Sequence, residues 1–125
     1  MLIDSTVAID FLGGRKSAVE YLSNLIEDVK ISRIVFMEII MGCRTKLELT
    51  KTKKTVTKSR WKIIEVSEKT SQLAGAIFEN FYHSNGLGMA DALIAATTLT
   101  NNEKFATHNV KHFKFIKDLE LIIPY

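Results

Sequence analysis

The ten residues MLIDSTVAID, Met1 to Asp10, decide how the rest of the chain is read. Met1, Leu2 and Ile3 form an apolar run that stops at Asp4, and the hydroxyl pair Ser5 and Thr6 follows directly. A short apolar run bounded by capping residues suits a buried parallel strand that ends at a helix start. In open α/β sheets ligands bind at the carboxyl ends of strands, where this reading places Asp4. Asp4 is therefore the first functional candidate. The plain alternative is that Asp4, Ser5 or Thr6 only caps a helix.

The pattern repeats outward from that start. Val7 to Leu12 is apolar apart from Asp10, and Gly13-Gly14 ends it as a short helix. Asp10 is read as structural. Lys16 to Asp28 carries Val19, Leu22, Leu25 and Ile26 at helical spacing, and Val29 to Ser32 follows as a second strand. Ile34 to Cys43 is nearly all apolar, with Glu38 its single acid and no basic residue three or four positions away. A buried carboxylate in such a helix needs a cation, hydrogen bonds or a proton, unless it reaches solvent at the helix edge. Thr45 to Ser59 predicts a helix or helical hairpin that projects from the core, with a mobile middle around Thr50 to Thr55. Trp61 to Val66 predicts a strand.

A helix then runs from Ser67 and Glu68 to about Tyr82, with Leu73, Ala76, Ile77 and Phe81 as its inner stripe, and His83 to Gly88 forms a turn. Met89 to Thr100 predicts an alanine-rich helix with Asp91 in its first turn. The helix dipole favours an acid there even without a chemical duty. Lys104 to Thr107 is a fourth strand, Val110 to Phe115 turns back, and Leu119 to Ile123 is the last strand. This alternation predicts an α/β fold, a central, mainly parallel sheet of four to five strands flanked by helices.

A chain of 125 residues fits a single domain, 1–125. Its 46% hydrophobic and 25% charged content is ordinary for a soluble globular protein. No apolar run approaches the roughly 20 residues that span a bilayer, and no secretory leader pattern is visible, so a cytoplasmic, non-membrane protein is expected. With Cys43 as the only cysteine, neither an internal disulfide nor a thiolate metal cluster can form. The net charge of +3 is unevenly spread. In the segment 44–62, Arg44, Lys46, Lys51, Lys53, Lys54, Lys58, Arg60 and Lys62 face one acid, Glu48, which leaves the remainder of the chain acidic. Such a segment suits a polyanion whose binding weakens with salt, or simply a solvated lysine face.

Asp4, Glu38, Asp91 and Asn109 are distant in sequence, yet each lies at an element end or in an apolar surround. Three carboxylates in one pocket repel unless a divalent cation neutralises them. Oxygen donors without cysteine or a histidine pair match Mg²⁺ or Mn²⁺ better than Zn²⁺.

Four stretches carry a resemblance that spans nearly the whole chain: LIDSTVAIDFL at 2–12, FMEIIMG at 36–42, GLGMADALIAATTL at 86–99 and ATHNVKHFKFI at 106–116. Their order and spacing resemble the PIN-domain family, in particular the VapC-type toxins of bacterial and archaeal toxin–antitoxin pairs. The resemblance implies a PIN-like three-layer sandwich. It also implies that Asp4, Glu38 and Asp91 coordinate metal, and that Thr107 and Asn109 match the T-x-[DN] region near it. Asn109 brings no charge where many members carry aspartate. Thr6 matches a hydroxyl or amide position beside the metal, and Val35 stands where the family often has Thr or Ser. His112 falls in an H-F packing turn with Phe113, and His108 at a variable place.

The resemblance implies a Mg²⁺- or Mn²⁺-dependent endoribonuclease that uses metal-activated water on structured RNA, tRNA or rRNA. The basic segment 44–62, through Arg44, Lys46, Lys51, Lys53, Lys54, Lys58 and Arg60, would grip the RNA backbone near the site. A homodimer and a cognate VapB-like antitoxin are the implied partners. Two rivals differ in class: a phospho-receiver-like module, and a PIN fold that only binds RNA or protein.

Overall fold

The computed structural model describes residues 1–125. Its centre is a sheet of five strands in the order β3-β2-β1-β4-β5, every pair parallel. The strands are β1 (Leu2–Ile3), β2 (Lys30–Ser32), β3 (Lys62–Ile64), β4 (Phe105–Ala106) and β5 (Leu121–Ile122). Six helices cover it: α1 (Ser5–Leu12), α2 (Lys16–Ser23), α3 (Arg33–Met41), α4 (Lys46–Lys58), α5 (Glu68–Asn85) and α6 (Met89–Thr100). A 3₁₀ turn spans Val110–His112.

The strands are shorter than the apolar runs predict, because the residues that end them start helices. Asp4 and Ser32 each leave a strand in extended conformation and cap the next helix. From β1 the chain winds outward through β2 and β3, then returns to place β4 on the other side of β1. The winding direction reverses at β1, which opens a crevice at the carboxyl ends of β1 and β4. Receiver modules use the order 2-1-3-4-5 instead, so this topology sets the receiver reading aside.

Leu2, Ile3, Ile31 and Phe105 on the strands are fully buried. On α6, Ala92, Ile94, Ala95, Ala96, Thr97 and Thr98 are all buried, so this helix is apolar around most of its circumference and lies inside the molecule. Its inner threonines satisfy their hydroxyls locally: Thr97 Oγ1 donates to Leu93 O at 2.8 Å, and Thr98 Oγ1 to Ile94 O at 2.9 Å.

Two helices depart from their sequence expectation, and a third settles an open choice. α2 ends at Ser23 rather than Asp28, and the expected stripe fails at Ile26, which is fully exposed. α5 continues past Tyr82 to Asn85, because the first residue to adopt a left-handed conformation is Gly86 at φ 67°. Of the two shapes expected for α4, helix or hairpin, the structure has the single helix, continuous through Thr50 to Thr55. Thr45 Oγ1 accepts from Glu48 N at 3.1 Å, and the Glu48 carboxylate accepts from Arg44 N at 2.7 Å, so the start of α4 is well capped. Its body is not detached either. Val56 and Trp61 are buried, and the Trp61 ring lies 5.0 Å from Phe11 on α1.

The exit from α4 is a Schellman turn, with Trp61 N donating to Val56 O and Arg60 N to Thr57 O. Arg60 holds its left-handed position at φ 60°, where a side chain costs roughly 1–2 kcal/mol. Arg60→Gly is therefore expected to stabilise the protein by about 1 kcal/mol in urea unfolding. An unchanged or lower midpoint would show that the guanidinium offsets the strain.

Candidate active site

Asp4 stands at the crevice between β1 and β4, 3% exposed. One carboxylate oxygen accepts from Ser5 N at 2.8 Å and so caps α1. The other accepts from Thr107 Oγ1 at 2.7 Å, across the reversal of the sheet. Thr107 is itself fully buried and accepts from Asn109 N at 2.9 Å. The turn after β4 thus fixes the carboxylate that follows β1. Thr107 acts on Asp4 by orienting it. Asn109 takes part through its backbone, with its side chain exposed.

Glu38 lies on α3 and Asp91 in the first turn of α6. Burial pushes the Glu38 carboxyl above the usual carboxylate range, and the charges of Asp4 and Asp91 push it further the same way. Burial also raises Asp91; His112 opposes that shift, and Asp4 adds to it. Three acids from β1, α3 and α6 therefore act on one another electrostatically. Two buried oxygens have no hydrogen-bond partner: Glu38 Oε1, and Thr6 Oγ1 in the first turn of α1, two residues after Asp4.

In donor type the residues fit a hard divalent cation: carboxylate and hydroxyl oxygens, two of them unsatisfied. As they stand, no three His, Cys, Asp or Glu side chains come together in a group that could hold a metal ion.

The histidines differ from their expected roles. His112 Nδ1 lies 3.3 Å from Asp91 Oδ2, and the ring is 61% exposed rather than packed away. The 3₁₀ turn of Val110–His112 brings it there, and no periodicity in the sequence announces that turn. His108 instead lies against Tyr125, with ring centroids 4.5 Å apart. Asp10 is structural as expected, receiving Arg15 at 2.9 Å and the Tyr125 hydroxyl at 2.7 Å. Cys43 is only half-buried, 3.6 Å from Thr52 Oγ1 on α4.

The basic residues stand apart from the acids. Arg44, Lys46, Lys51, Lys53, Lys54, Lys58 and Arg60 are all exposed, and none of them joins an ion pair. Lys62 is the exception in this segment, bound to Asp28 at 2.7 Å. α4 borders the carboxyl ends of α1 and α3, where Ile9, Leu12, Ile39, Cys43, Lys51 and Thr52 line a cleft of about 420 Å³. None of Asp4, Glu38 and Asp91 lines that cleft, so the α4 lysines stand outside the acidic crevice. They can steer or hold a polyanion, but they do not form the walls of the acidic crevice.

The sequence matches the PIN domain family over residues 1–117. It is 32% identical to ribonuclease VapC19 of Mycobacterium tuberculosis over 123 residues, covering 95% of this chain and 96% of that protein. Ribonuclease VapC of Rickettsia bellii is 27% identical, with 98% of this chain and 94% of the relative covered. Among solved structures, the fold is similar to a toxin–antitoxin complex from Klebsiella pneumoniae (TM-score 0.81, 27% identity, 99% and 97% of the two chains). It is equally similar to VapBC2 from Rickettsia felis bound to a DNA fragment from their promoter (TM-score 0.81, 25% identity, 97% and 96%). The acids sit where the sheet reverses, and the likeness runs through every element that carries them: the chain belongs to the PIN-domain family, among proteins of the ribonuclease VapC type.

Proposed function

We propose that this protein is a Mg²⁺- or Mn²⁺-dependent endoribonuclease toxin that cuts structured RNA, tRNA or rRNA, and is neutralised by a cognate VapB-like antitoxin. The observation that carries the reading is the unpartnered Glu38 Oε1 facing the charges of Asp4 and Asp91, together with the unpartnered Thr6 Oγ1. A native fold leaves few buried oxygens unmatched without a reason. Asp4, Glu38 and Asp91 would hold the cation, with Thr6 beside it. When bound, a divalent cation supplies Lewis acidity toward water and phosphate oxygen.

The chain's own groups supply placement. Ser5 N and Thr107 Oγ1 fix both oxygens of Asp4, so its lone pairs are aimed before substrate arrives. His112 steadies Asp91 in the same way from the opposite rim. The unpaired cations of α4 would attract the RNA backbone with little choice of sequence.

The antitoxin proposal is supported by the toxin–antitoxin complexes among the structural relatives. Exposed Ile9, Met37, Met41 and Leu47 on α1, α3 and α4 offer an apolar seat for such a partner. A homodimer is inferred from the family alone. No helix is long and apolar enough to cross a membrane, which is compatible with a cytoplasmic site of action.

The test is incubation of purified total tRNA and ribosomal RNA with the protein and Mg²⁺, Mn²⁺ or chelator. Discrete fragments that require metal and are lost in Asp4→Asn are expected, and end mapping would identify the substrate. A folded protein that binds these RNAs but leaves them intact under every metal condition would instead be a PIN domain without catalysis.

A further inference from the structure

A cleft of about 360 Å³ opens beside Asp91, walled by Gly86, Leu87 and Gly88 on one side and by Lys111 and His112 on the other. One wall is bare backbone. A Cβ added at Gly86 or Gly88 would meet nothing within 4 Å, so the main chain borders open space there. That wall is also fixed, because Leu87 between the two glycines is 3% exposed and anchored in the core. Glycines with no side chain in the way let a bulky ligand approach the backbone closely. The opposite wall carries Lys111, exposed and without an ion pair although a carboxylate lies in the same cleft.

The chemistry of His112 narrows what this cleft can hold. An ionised carboxylate oxygen only accepts, so while Asp91 is ionised the Nδ1 that faces its Oδ2 at 3.3 Å is the donor of that contact. In the neutral ring Nε2 is then a lone-pair acceptor with no partner in the protein. A phosphate oxygen cannot bind an acceptor, but a hydroxyl can. The ammonium of Lys111, one residue earlier, has the opposite preference and suits a phosphate.

Resting on the ribonuclease reading, we propose that this cleft is a ribonucleotide subsite next to the acidic crevice, in which Lys111 binds a backbone phosphate and His112 Nε2 accepts a hydrogen bond from a ribose 2′-hydroxyl. The 2′-hydroxyl is what distinguishes RNA from DNA at a given position. The cleft thereby selects a ribose beside Asp91 without reading the base, and Lys111 offsets the repulsion that the acids exert on the incoming backbone.

The test separates binding from cleavage. Fluorescence anisotropy is measured for Asp4→Asn protein with a labelled single-stranded oligoribonucleotide in which one nucleotide at a time carries a 2′-deoxyribose or a methylphosphonate linkage. One 2′-deoxy position is expected to weaken binding about three- to tenfold, and one methylphosphonate, at that nucleotide or its neighbour, about tenfold. Added to the same background, His112→Ala should erase the 2′-deoxy effect alone, and Lys111→Gln the methylphosphonate effect alone, with Lys111→Arg restoring it. Full sensitivity at every position in both variants would overturn the subsite. Unchanged RNA binding combined with loss of affinity for the antitoxin would also overturn it, and give the cleft to a protein contact instead. A failure of the ribonuclease reading is distinct, since the wild type would then cut no RNA with any metal. A failure of the subsite alone leaves a wild type that cuts and variants that cut and bind as well.

Discussion

Glu38→Gln is expected to lower cleavage by more than about a hundredfold and at the same time, in chelator, to raise the melting temperature by a few degrees. The first effect follows from removing a charged ligand, because even the groups that merely orient metal ligands are worth about 10- to 100-fold. The second follows from the repulsion that Glu38 endures. Burial and the charges of Asp4 and Asp91 all disfavour its ionised form, and Oε1 has no donor. Replacing the charge with a neutral amide of the same shape relieves a cost on the order of 1 kcal/mol, a few degrees of Tm for a domain of this size.

The sign with pH is fixed by the raised folded-state pKa. Below the unfolded value of about 4.3 the carboxyl is protonated in both states and costs nothing; the cost grows as pH rises through the folded value and is complete above it. The Tm advantage of Glu38→Gln should thus be present at pH 7 and fade toward pH 4. Adding Mg²⁺ or Mn²⁺ should raise the wild-type Tm, since a ligand held by the native state alone stabilises it. The variant should respond far less. If the two proteins have equal Tm at pH 7, respond equally to metal and cleave alike, Glu38 is not a ligand.

Which parts of this were legible in the sequence depends on the range of the interaction involved. Asp4, Glu38 and Asp91 could be singled out one at a time, because each breaks an apolar pattern or opens a helix. The parallel sheet was legible too, from strand-like runs that alternate with amphipathic stretches. Its strand order was not. The placement of β4 beside β1 rests on the pairs Leu2 with Phe105 and Ile3 with Ala106, which no local pattern announces. For the same reason the bond from Thr107 to Asp4, across more than a hundred residues, turns a polar residue at a strand end into a positioning group only once the fold is known. His112 was placed in a packing turn by resemblance to the family pattern; in the structure Phe113 is buried there, while the 3₁₀ turn brings His112 itself to Asp91. The basic segment was read correctly in charge, and its shape is the single helix, one of the two that the sequence left open. Its polar composition could not decide between helix and hairpin; the cap at Thr45 and buried Val56 and Trp61 make one anchored helix of it.

Asp4 resolves the choice between cap and functional acid by being able to serve as both, and two substitutions separate the roles. Asp4→Asn keeps a side-chain oxygen for Ser5 N, and asparagine caps helices about as well as aspartate. Its amide nitrogen faces Thr107 Oγ1, which can accept from it but loses its own acceptor, so a loss of about 1 kcal/mol is expected, smaller than that of the alanine variant. Asp4→Ala loses the cap, worth about 1 kcal/mol, and leaves the buried Thr107 hydroxyl without its acceptor, worth roughly another 1–3 kcal/mol. A loss of about 2–4 kcal/mol is expected, read as a lower urea midpoint. Cleavage should fall more than about a hundredfold in both, since neither variant keeps the charge. If Asp4→Asn cleaved like wild type while Asp4→Ala only unfolded more readily, the carboxylate would be a cap and nothing more. Loss of cleavage in an Asp4→Asn protein that stays folded isolates the charge, because the cap on Ser5 N survives and the amide nitrogen can still donate to Thr107 Oγ1, while the attraction for a cation is gone.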